Sequence, residues 1–248
     1  MTELRATPAA PAADPGPALA VRDLVVSYVN GPTAVRGVDL TARAGTVTAV
    51  VGPNGAGKTT LLQAIAGRER RTALRLVRGS VRVGGVELFG APTEKVARSG
   101  VALIPDRTKV FSDLTVDEHM RLAMRHIHRR ERASLRTEVL DTFPRIQQWR
   151  DRKGAQLSGG ERQLVAMAVA LCRRPRVLLI DEMSQGLSPS AVLVVAEALT
   201  TLRGRDLAVV LVEQTAAVAH RVSDTVLGFA RGELVSVEDM EEATHGRG

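Results

Sequence analysis

The stretch of the chain that points most directly to chemistry covers residues 52–60 and reads GPNGAGKTT. Its spacing, G-x-x-x-x-G-K-T, is typical of loops in which successive backbone N–H groups surround a phosphate, since glycines permit its close approach. We expect Lys58 to reach the β- and γ-phosphates of a nucleotide and the hydroxyl of Thr59 to bind Mg²⁺. An ordinary glycine-rich turn is the alternative, but the apolar run before the loop and the apolar helix pattern after it favour the nucleotide site. The candidate nucleotide-binding residues here are Gly52, Pro53, Asn54, Gly55, Ala56, Gly57, Lys58, Thr59 and Thr60.

Two adjacent acids follow an apolar run in the sequence RVLLIDEM. They would lie at the carboxyl end of a strand, the edge where open α/β sheets bind ligands. We expect Asp181 to hold Mg²⁺ through water or through Thr59. Glu182 would orient and polarise an attacking water as a general base. A strand that simply ends in solvated acids is the alternative, which the phosphate-binding loop makes less attractive.

A second anion site is indicated by the sequence LSGGERQ. Ser158 and Glu161 have the S-x-x-E spacing of a capping box, and Gly159 and Gly160 leave the start of the helix bare. One ATP needs only one such cradle, so a second one makes sense if it serves the nucleotide of another chain. A plain capped helix would explain Ser158 and Glu161 but not the paired glycines.

The elements that must position these residues are short strands alternating with helices. This pattern favours an α/β fold with a mostly parallel core sheet, covered on both faces, together with an antiparallel β part. Hairpins are predicted at Gly84-Gly85 and at Arg231-Gly232, and Thr115 with Glu118 forms another capping box. Helical patterns alone fill residues 112–152, which we interpret as an inserted subdomain. The predicted organisation is a disordered Ala/Pro-rich tail (1–17), one catalytic domain (18–240) and a flexible end (241–248).

Composition and charge narrow the class of protein. The 248 residues are 44% hydrophobic, enough for a substantial core, and no apolar run approaches the ~18 residues that span a bilayer. The single cysteine, Cys172, excludes an internal disulfide framework, and its apolar helical context predicts a buried structural thiol. The net charge of +7 comes from scattered arginines, and aromatics are only 2% of residues, so we expect no nucleic-acid partner.

The three motifs GPNGAGKTT, LSGGERQ and VLLIDE, in this order, resemble those of the ATP-binding-cassette (ABC) ATPases, a family of P-loop NTPases. The resemblance covers about residues 19–238. It implies ATP and Mg²⁺ as cofactors and a head-to-tail pair of cassettes, in which Ser158, Gly159 and Gly160 contact the partner's γ-phosphate. It also implies that Tyr28, the only tyrosine, stacks on adenine; the alternative is a core strand residue.

The chain is similar in more detail to the second ATP-binding subunit of branched-chain amino acid importers. The similarity lies in the sequences IPDRTKVFSDLTVDEHM, TFPRIQQWRDRKGAQLSGGERQ and VLVEQTAAVA. Asp106 stands where many cassettes have a glutamine that contacts Mg²⁺ and water, and Gln214 stands where the family has its switch histidine. Both changes make the surroundings of the transferred charge less positive, so we expect slow hydrolysis by the isolated chain. Met183 also departs from the family's proline.

This resemblance implies a subunit on the cytoplasmic face of the cell membrane, coupling ATP hydrolysis to transport of a small polar solute, with branched-chain amino acids as the expected cargo. Its partners would be a second cassette, the same or a paralogue, integral membrane permease subunits and, indirectly, an extracytoplasmic solute-binding protein. An importer of amides or urea is an alternative. A soluble cassette ATPase acting on DNA or the ribosome is another, but this chain has neither two fused cassettes nor a long coiled coil. A non-hydrolysing cassette conflicts with the intact Lys58, Asp181 and Glu182.

Overall fold

The computed structural model describes residues 16–68, 73–106 and 110–240. In chain order the strands are β1 (Leu19–Tyr28), β2 (Thr33–Ala42), β3 (Val47–Val51), β4 (Leu74–Val83), β5 (Val86–Glu87), β6 (Val101–Ile104), β7 (Val177–Asp181), β8 (Ala208–Glu213), β9 (Thr225–Ala230) and β10 (Glu233–Val235). The helices are α1 (Lys58–Ile65), α2 (Thr93–Arg98), α3 (Val116–Ala123), α4 (Arg132–Thr142), α5 (Gly159–Leu171), α6 (Pro189–Thr200) and α7 (Ala216–Val222). Residues 1–15 of the predicted N-terminal tail (1–17) and the whole predicted C-terminal end (241–248) lie outside the described residues.

A six-stranded sheet forms the centre of the molecule, in the order β10-β9-β3-β8-β7-β6. The strands from β9 to β6 are all parallel, and β10 returns antiparallel to β9. Every residue of β3, β7 and β8 is buried, as expected for parallel strands with both faces covered. Because β3, β7 and β8 are neighbours, the segments that follow their carboxyl ends meet at one edge of the sheet.

A separate four-stranded sheet, in the order β2-β1-β4-β5, is entirely antiparallel. Its β4–β5 hairpin turns at Gly84 and Gly85, which both have positive φ (54° and 80°), as a tight two-residue turn requires. The buried side of this sheet packs with α1 and one face of the central sheet in a single hydrophobic cluster. This packing fixes α1 against the strand that precedes the phosphate-binding loop.

Among the described residues between β6 and α5, helices are the only regular elements. Helix α3 begins at a capping box in which the Thr115 hydroxyl accepts from the Glu118 N–H and the Glu118 carboxylate accepts from the Thr115 N–H. The two ends of this helical segment lie side by side. The Gly154 N–H donates to the Leu114 carbonyl at 3.0 Å, and the Val116 N–H donates to the Arg152 carbonyl at 3.1 Å. The side chains of this insertion share a second hydrophobic cluster with α5 and α6 on the other face of the central sheet.

The fold class predicted from the sequence is confirmed, with differences in particular elements. Helices α2 and α7 were not predicted. Within the predicted helical residues 112–152, α4 ends at Thr142 and a 3₁₀ helix covers Pro144–Trp149, because proline cannot continue the hydrogen-bond ladder of an α-helix. Cys172 is fully buried, as predicted, and burial raises the pKa of its thiol to about 12. No helix in the described part of the chain is long and apolar enough to cross a membrane.

Candidate functional site: a phosphate-binding loop at an acidic sheet edge

The predicted phosphate-binding loop connects β3 to α1. Gly55 and Gly57 have positive φ, 78° and 108°, which side-chain-bearing residues rarely adopt. Gly52 does not share this conformation; a Cβ there would clash with the carbonyl oxygen of Phe229, so a close backbone approach explains this glycine. Open space surrounds the position where Gly55 would carry a Cβ, and no side chain caps the start of α1 at Gly57. The first N–H groups of α1 and this open glycine loop together fit an anion such as phosphate.

Lys58 is the buried cation of this loop, only 4% exposed. Its ammonium donates to the carbonyl oxygens of Gly52 at 2.7 Å and Pro53 at 3.0 Å, and it lies 3.8 Å from Oε1 of Glu182. Burial lowers the pKa of Lys58, and the neighbouring carboxylates, Glu182 first, partly offset that effect. The side chain therefore lies beside the loop's own oxygens, with a positive charge that a phosphate group would satisfy better.

Thr59 and Asp181 are brought together as predicted, since the Thr59 hydroxyl donates to Oδ1 of Asp181 at 3.0 Å. Burial raises the pKa of Asp181 to about 6; the bond from Thr59 opposes this shift, and the charges of Glu182 and Asp106 add to it. A hydroxyl and a carboxylate are hard oxygen ligands of the kind that Mg²⁺ prefers. In the described part of the chain no three His, Cys, Asp or Glu side chains form a ready metal cluster, so further ligands would come from nucleotide and water.

Glu182 follows directly after β7 and has an unusual backbone conformation, with φ of 46°. Its N–H donates to the Val212 carbonyl at 3.0 Å, which ties it to the neighbouring strand β8. The amide nitrogen of Gln214 donates to Oε2 of Glu182 at 2.8 Å. Asp106, just after β6, joins the same group, since its charge raises the pKa of Asp181. The sheet edge thus gathers the three predicted acids, Gln214 and Lys58.

Two further residues of this edge escaped the sequence analysis. Glu213, 1% exposed, accepts from the N–H and the hydroxyl of Ser184, at 3.0 and 2.6 Å. Burial raises the pKa of Glu213, although its bonds with Ser184 oppose the shift. A carboxylate ending the apolar run LAVVLV was the signal that could have revealed it. Gln185, in the loop after Glu182, approaches Asp106 and Glu182. Its contact with Asp106 could not be predicted locally, because Asp106 is distant from it in sequence.

Tyr28 lies at the end of β1 beside the loop. Its ring is not part of the core, since the residue is 43% exposed, and its hydroxyl is 3.2 Å from the hydroxyl of Thr60. The tyrosine is therefore attached to the first turn of α1 while much of its surface faces solvent. An exposed aromatic ring in this position can stack on a flat ligand group.

The predicted second anion site lies at the start of α5. The capping box is present, with the Ser158 hydroxyl accepting from the Glu161 N–H at 3.3 Å and the Glu161 carboxylate accepting from the Ser158 N–H at 2.7 Å. Within the described residues no hydrogen bond or ion pair joins Ser158, Gly159 or Gly160 to the phosphate-binding loop. A Cβ on Gly159 would lie 2.8 Å from a methyl carbon of Leu187, and one on Gly160 would lie 3.0 Å from Cβ of Ala191. Packing within one chain therefore gives the paired glycines a reason that the sequence analysis did not foresee.

Comparison with known proteins agrees with this geometry. The family model described as ABC transporter matches residues 35–185, more than half of the chain, from before the phosphate-binding loop to just past the paired acids. The chain belongs to the ABC transporter family. Like the other ATP-binding cassettes of this family, it is an ATP-binding subunit that hydrolyses ATP.

Several relatives of this ABC cassette are known. It is 32% identical to the high-affinity branched-chain amino acid transport ATP-binding protein BraG of Pseudomonas aeruginosa, over 86% of this chain and 89% of that one. It is 35% identical to "Probable branched-chain amino acid transport ATP-binding protein LivF" of Archaeoglobus fulgidus, over 79% and 82%. The lipopolysaccharide export system ATP-binding protein LptB of Escherichia coli is 29% identical, over 88% and 86%.

Solved structures share the fold of the cassette. The ADP conformation of MJ1267, an ATP-binding cassette of an ABC transporter, superposes with a TM-score of 0.75 at 20% identity, covering 91% of this chain and 94% of that one. An ATP-binding subunit of an ABC transporter superposes with a TM-score of 0.72 at 26% identity, covering 93% and 94%.

Proposed function

We propose that this cassette is the motor subunit of an importer for a small polar solute, with branched-chain amino acids as the cargo. The observation that carries the proposal is the sheet edge where Lys58, the Thr59–Asp181 pair and Glu182 meet beside an open glycine loop. This arrangement offers a cation and bare helix N–H groups for phosphates, an oxygen pair for Mg²⁺, and a carboxylate for water.

Each side chain has a distinct role in hydrolysis. Lys58 exchanges the carbonyls of Gly52 and Pro53 for the β- and γ-phosphates of ATP. Glu182 accepts the proton of the attacking water, and Gln214 holds its Oε2 by the 2.8 Å bond. Thr59 and Asp181 would hold Mg²⁺, which would supply positive charge to neutralise the phosphates. Asp106 supplies a further carboxylate beside the attacking water and the metal ion.

The remaining predicted residues act at the two ends of the nucleotide. The exposed ring of Tyr28 stacks on adenine, and its link to Thr60 sets its distance from the phosphate-binding loop. Ser158, Gly159 and Gly160 contact the γ-phosphate bound by a second cassette: they lie at the N-terminal end of α5, and among the described residues no bond joins them to their own phosphate-binding loop. ATP then joins two cassettes head to tail.

A permease docks in a groove beside the helical insertion. Two adjoining cavities of about 1140 and 560 Å³ share Thr93, Ala97 and Arg173 in their walls. One carries the 59%-exposed Phe111, whose ring stacks on His119. The other holds a single acid, Glu94, against the basic residues Arg98, Arg125, His126, Arg173, Arg174 and Arg176.

The positive charge of this groove determines which kind of partner segment can bind in it. In the described part of the chain only Arg174 among these arginines has a side-chain ion pair, with Glu131 at 2.9 Å. Exposed apolar surface at Val86 and Leu122 lies in the same wall. A cytoplasmic segment of the permease with acidic and apolar side chains fits both features. By this proposal the cassette acts on the inner face of the cell membrane, reaches the solute-binding protein only through the permease, and binds no nucleic acid.

The cargo assignment rests on the relatives named for branched-chain amino acid transport, at 32 and 35% identity. The similarity to the lipopolysaccharide export protein LptB, at 29% identity, makes lipopolysaccharide the competing class of cargo. Uptake of labelled leucine, an amide and urea by a strain lacking this gene decides among them. Loss of leucine uptake alone, restored by the gene, supports the proposal; intact leucine uptake refutes it.

Docking is tested by co-purification with permease subunits encoded beside the gene, all expressed together. Arg125→Glu with Arg173→Glu should reduce recovery of the permease and leave ATP binding by the cassette unchanged. Arg145→Glu is the matched control, because Arg145 is exposed and lies outside the groove. Full recovery with the double variant would exclude this groove, and a chain that never binds these subunits would favour an ATPase uncoupled from transport.

A further inference from the structure

Gln185 bridges two carboxylates of the site. It lies three residues after Glu182, in the loop between β7 and α6. The orientation of its amide follows from its surroundings, because carboxylates can only accept. Its nitrogen then donates to Asp106, 2.9 Å from Oδ1 and 3.1 Å from Oδ2, and lies 3.3 Å from Oε2 of Glu182.

The two oxygens of Glu182 are consequently held differently. Oε2 accepts from the Gln214 amide at 2.8 Å and from the Gln185 amide at 3.3 Å. Oε1 lies toward the ammonium of Lys58, at 3.8 Å. The backbone bond from the Glu182 N–H to Val212 fixes the base of the side chain. Two amides and this backbone bond therefore aim one carboxylate oxygen at the side of the site where Lys58 lies.

The negative charges of Asp106 and Glu182 explain why a hydrogen-bond donor is needed between them. Asp106 and Glu182 are close enough to share one donor, and Asp181 and Glu213 lie at the same edge. Like charges at this distance repel, and a neutral donor between them removes part of the cost without adding a charge. The amide of Gln185 meets this need although its side chain is exposed.

We propose that Gln185 is a positioning residue for ATP hydrolysis. It holds Glu182 in place and links it to Asp106, which lies five residues before Phe111 of the permease groove. The proposal rests on the proposed role of Glu182 as the base.

The test compares Gln185→Leu and Gln185→Glu with Gln147→Leu, which removes an exposed amide from the 3₁₀ helix of the insertion. Loss of one hydrogen bond to a charged group predicts a kcat for ATP at least about tenfold lower in Gln185→Leu, with KM and ATP affinity unchanged. Gln185→Glu adds a carboxylate and should lower kcat at least as much. Gln147→Leu should match the wild type.

Two further measurements separate positioning from a merely structural role. In an Asp106→Ala background, Gln185→Leu should lower kcat by twofold or less, because half of the bridge is already absent. In the nucleotide-free chain, Gln185→Leu should speed hydrogen exchange of the backbone around residues 182–187. Wild-type kcat and exchange in Gln185→Leu, or an equal effect in both backgrounds, would overturn the proposal.

Comparing Glu182→Gln with Gln185→Leu separates the role of Gln185 from the role of Glu182 as the base. If Glu182→Gln abolishes turnover while Gln185→Leu leaves it unchanged, only the role of Gln185 is wrong. If Glu182→Gln retains turnover, Glu182 is not the base, and the role of Gln185 falls with it.

Discussion

Replacing Lys58 with alanine should weaken ATP binding without unfolding the cassette. A bond from an ammonium to a charged group contributes about 1.5–3 kcal/mol net. Since about 1.4 kcal/mol corresponds to a factor of ten, the dissociation constant should rise by about 10- to 150-fold. Alanine supplies no donor that could replace it at the phosphates.

The stability of the nucleotide-free chain should change little, because the effects of this substitution oppose one another. The variant loses the bonds from Nζ to the Gly52 and Pro53 carbonyls, and it leaves Glu182 without its neighbouring cation. It also removes the cost of burying an ammonium, the cost that lowers the pKa of Lys58. We therefore expect a melting temperature within a few degrees of the wild type.

The assay is calorimetric titration with ATP and Mg²⁺, with thermal unfolding as a check on folding. Lys95→Ala is the matched control, since Lys95 is an exposed lysine of α2. An unchanged dissociation constant for Lys58→Ala, or an equal loss in Lys95→Ala, would refute the assignment of Lys58 to the phosphates.

Three other predictions concern buried or substituted groups. Burial raises the pKa of Glu213, so the folded chain keeps this proton to higher pH than the unfolded chain, and the group's contribution to stability falls as pH rises above about 4.3. Glu213→Gln should therefore gain stability relative to the wild type between pH 4 and pH 7 in thermal unfolding; a constant difference would contradict this. Cys172, with a pKa raised to about 12, should react with a thiol reagent at pH 8 only as fast as the chain unfolds, whereas prompt labelling of the folded chain would contradict its burial. Asp106→Gln combined with Gln214→His should raise the ATP turnover of the isolated chain, and an unchanged rate would show that these two positions do not slow it.

The parts of the fold that follow from neighbouring residues could be predicted from the sequence. The capping boxes at Thr115 and Ser158 and the turn at Gly84-Gly85 depend on residues within three positions of each other. The fully buried strands were recognisable as apolar runs. Helices α2 and α7 have only six and seven residues, too few for their periodicity to stand out.

Long-range contacts explain what the sequence could not reveal. Gly52 is required by the carbonyl of Phe229, and Gly160 packs against Ala191 in the following helix. Asp106, one partner of Gln185, and Ser184, the partner of Glu213, likewise come from other loops. The residue types of the candidate site could therefore be predicted from motifs. The contacts that join one motif to another could be identified only in the folded structure.

ATP-dependent pairing of the Glu182→Gln variant tests the central claim, a nucleotide site completed by a second cassette, most directly. With ATP, this variant should migrate as a dimer holding two nucleotides in size-exclusion chromatography with light scattering. Adding Ser158→Arg should return it to a monomer with unchanged ATP affinity, whereas adding Ser134→Arg, at an exposed serine of α4, should leave the dimer intact. A monomer that binds ATP without pairing, or a dimer equally stable with Ser158→Arg, would contradict the composite site.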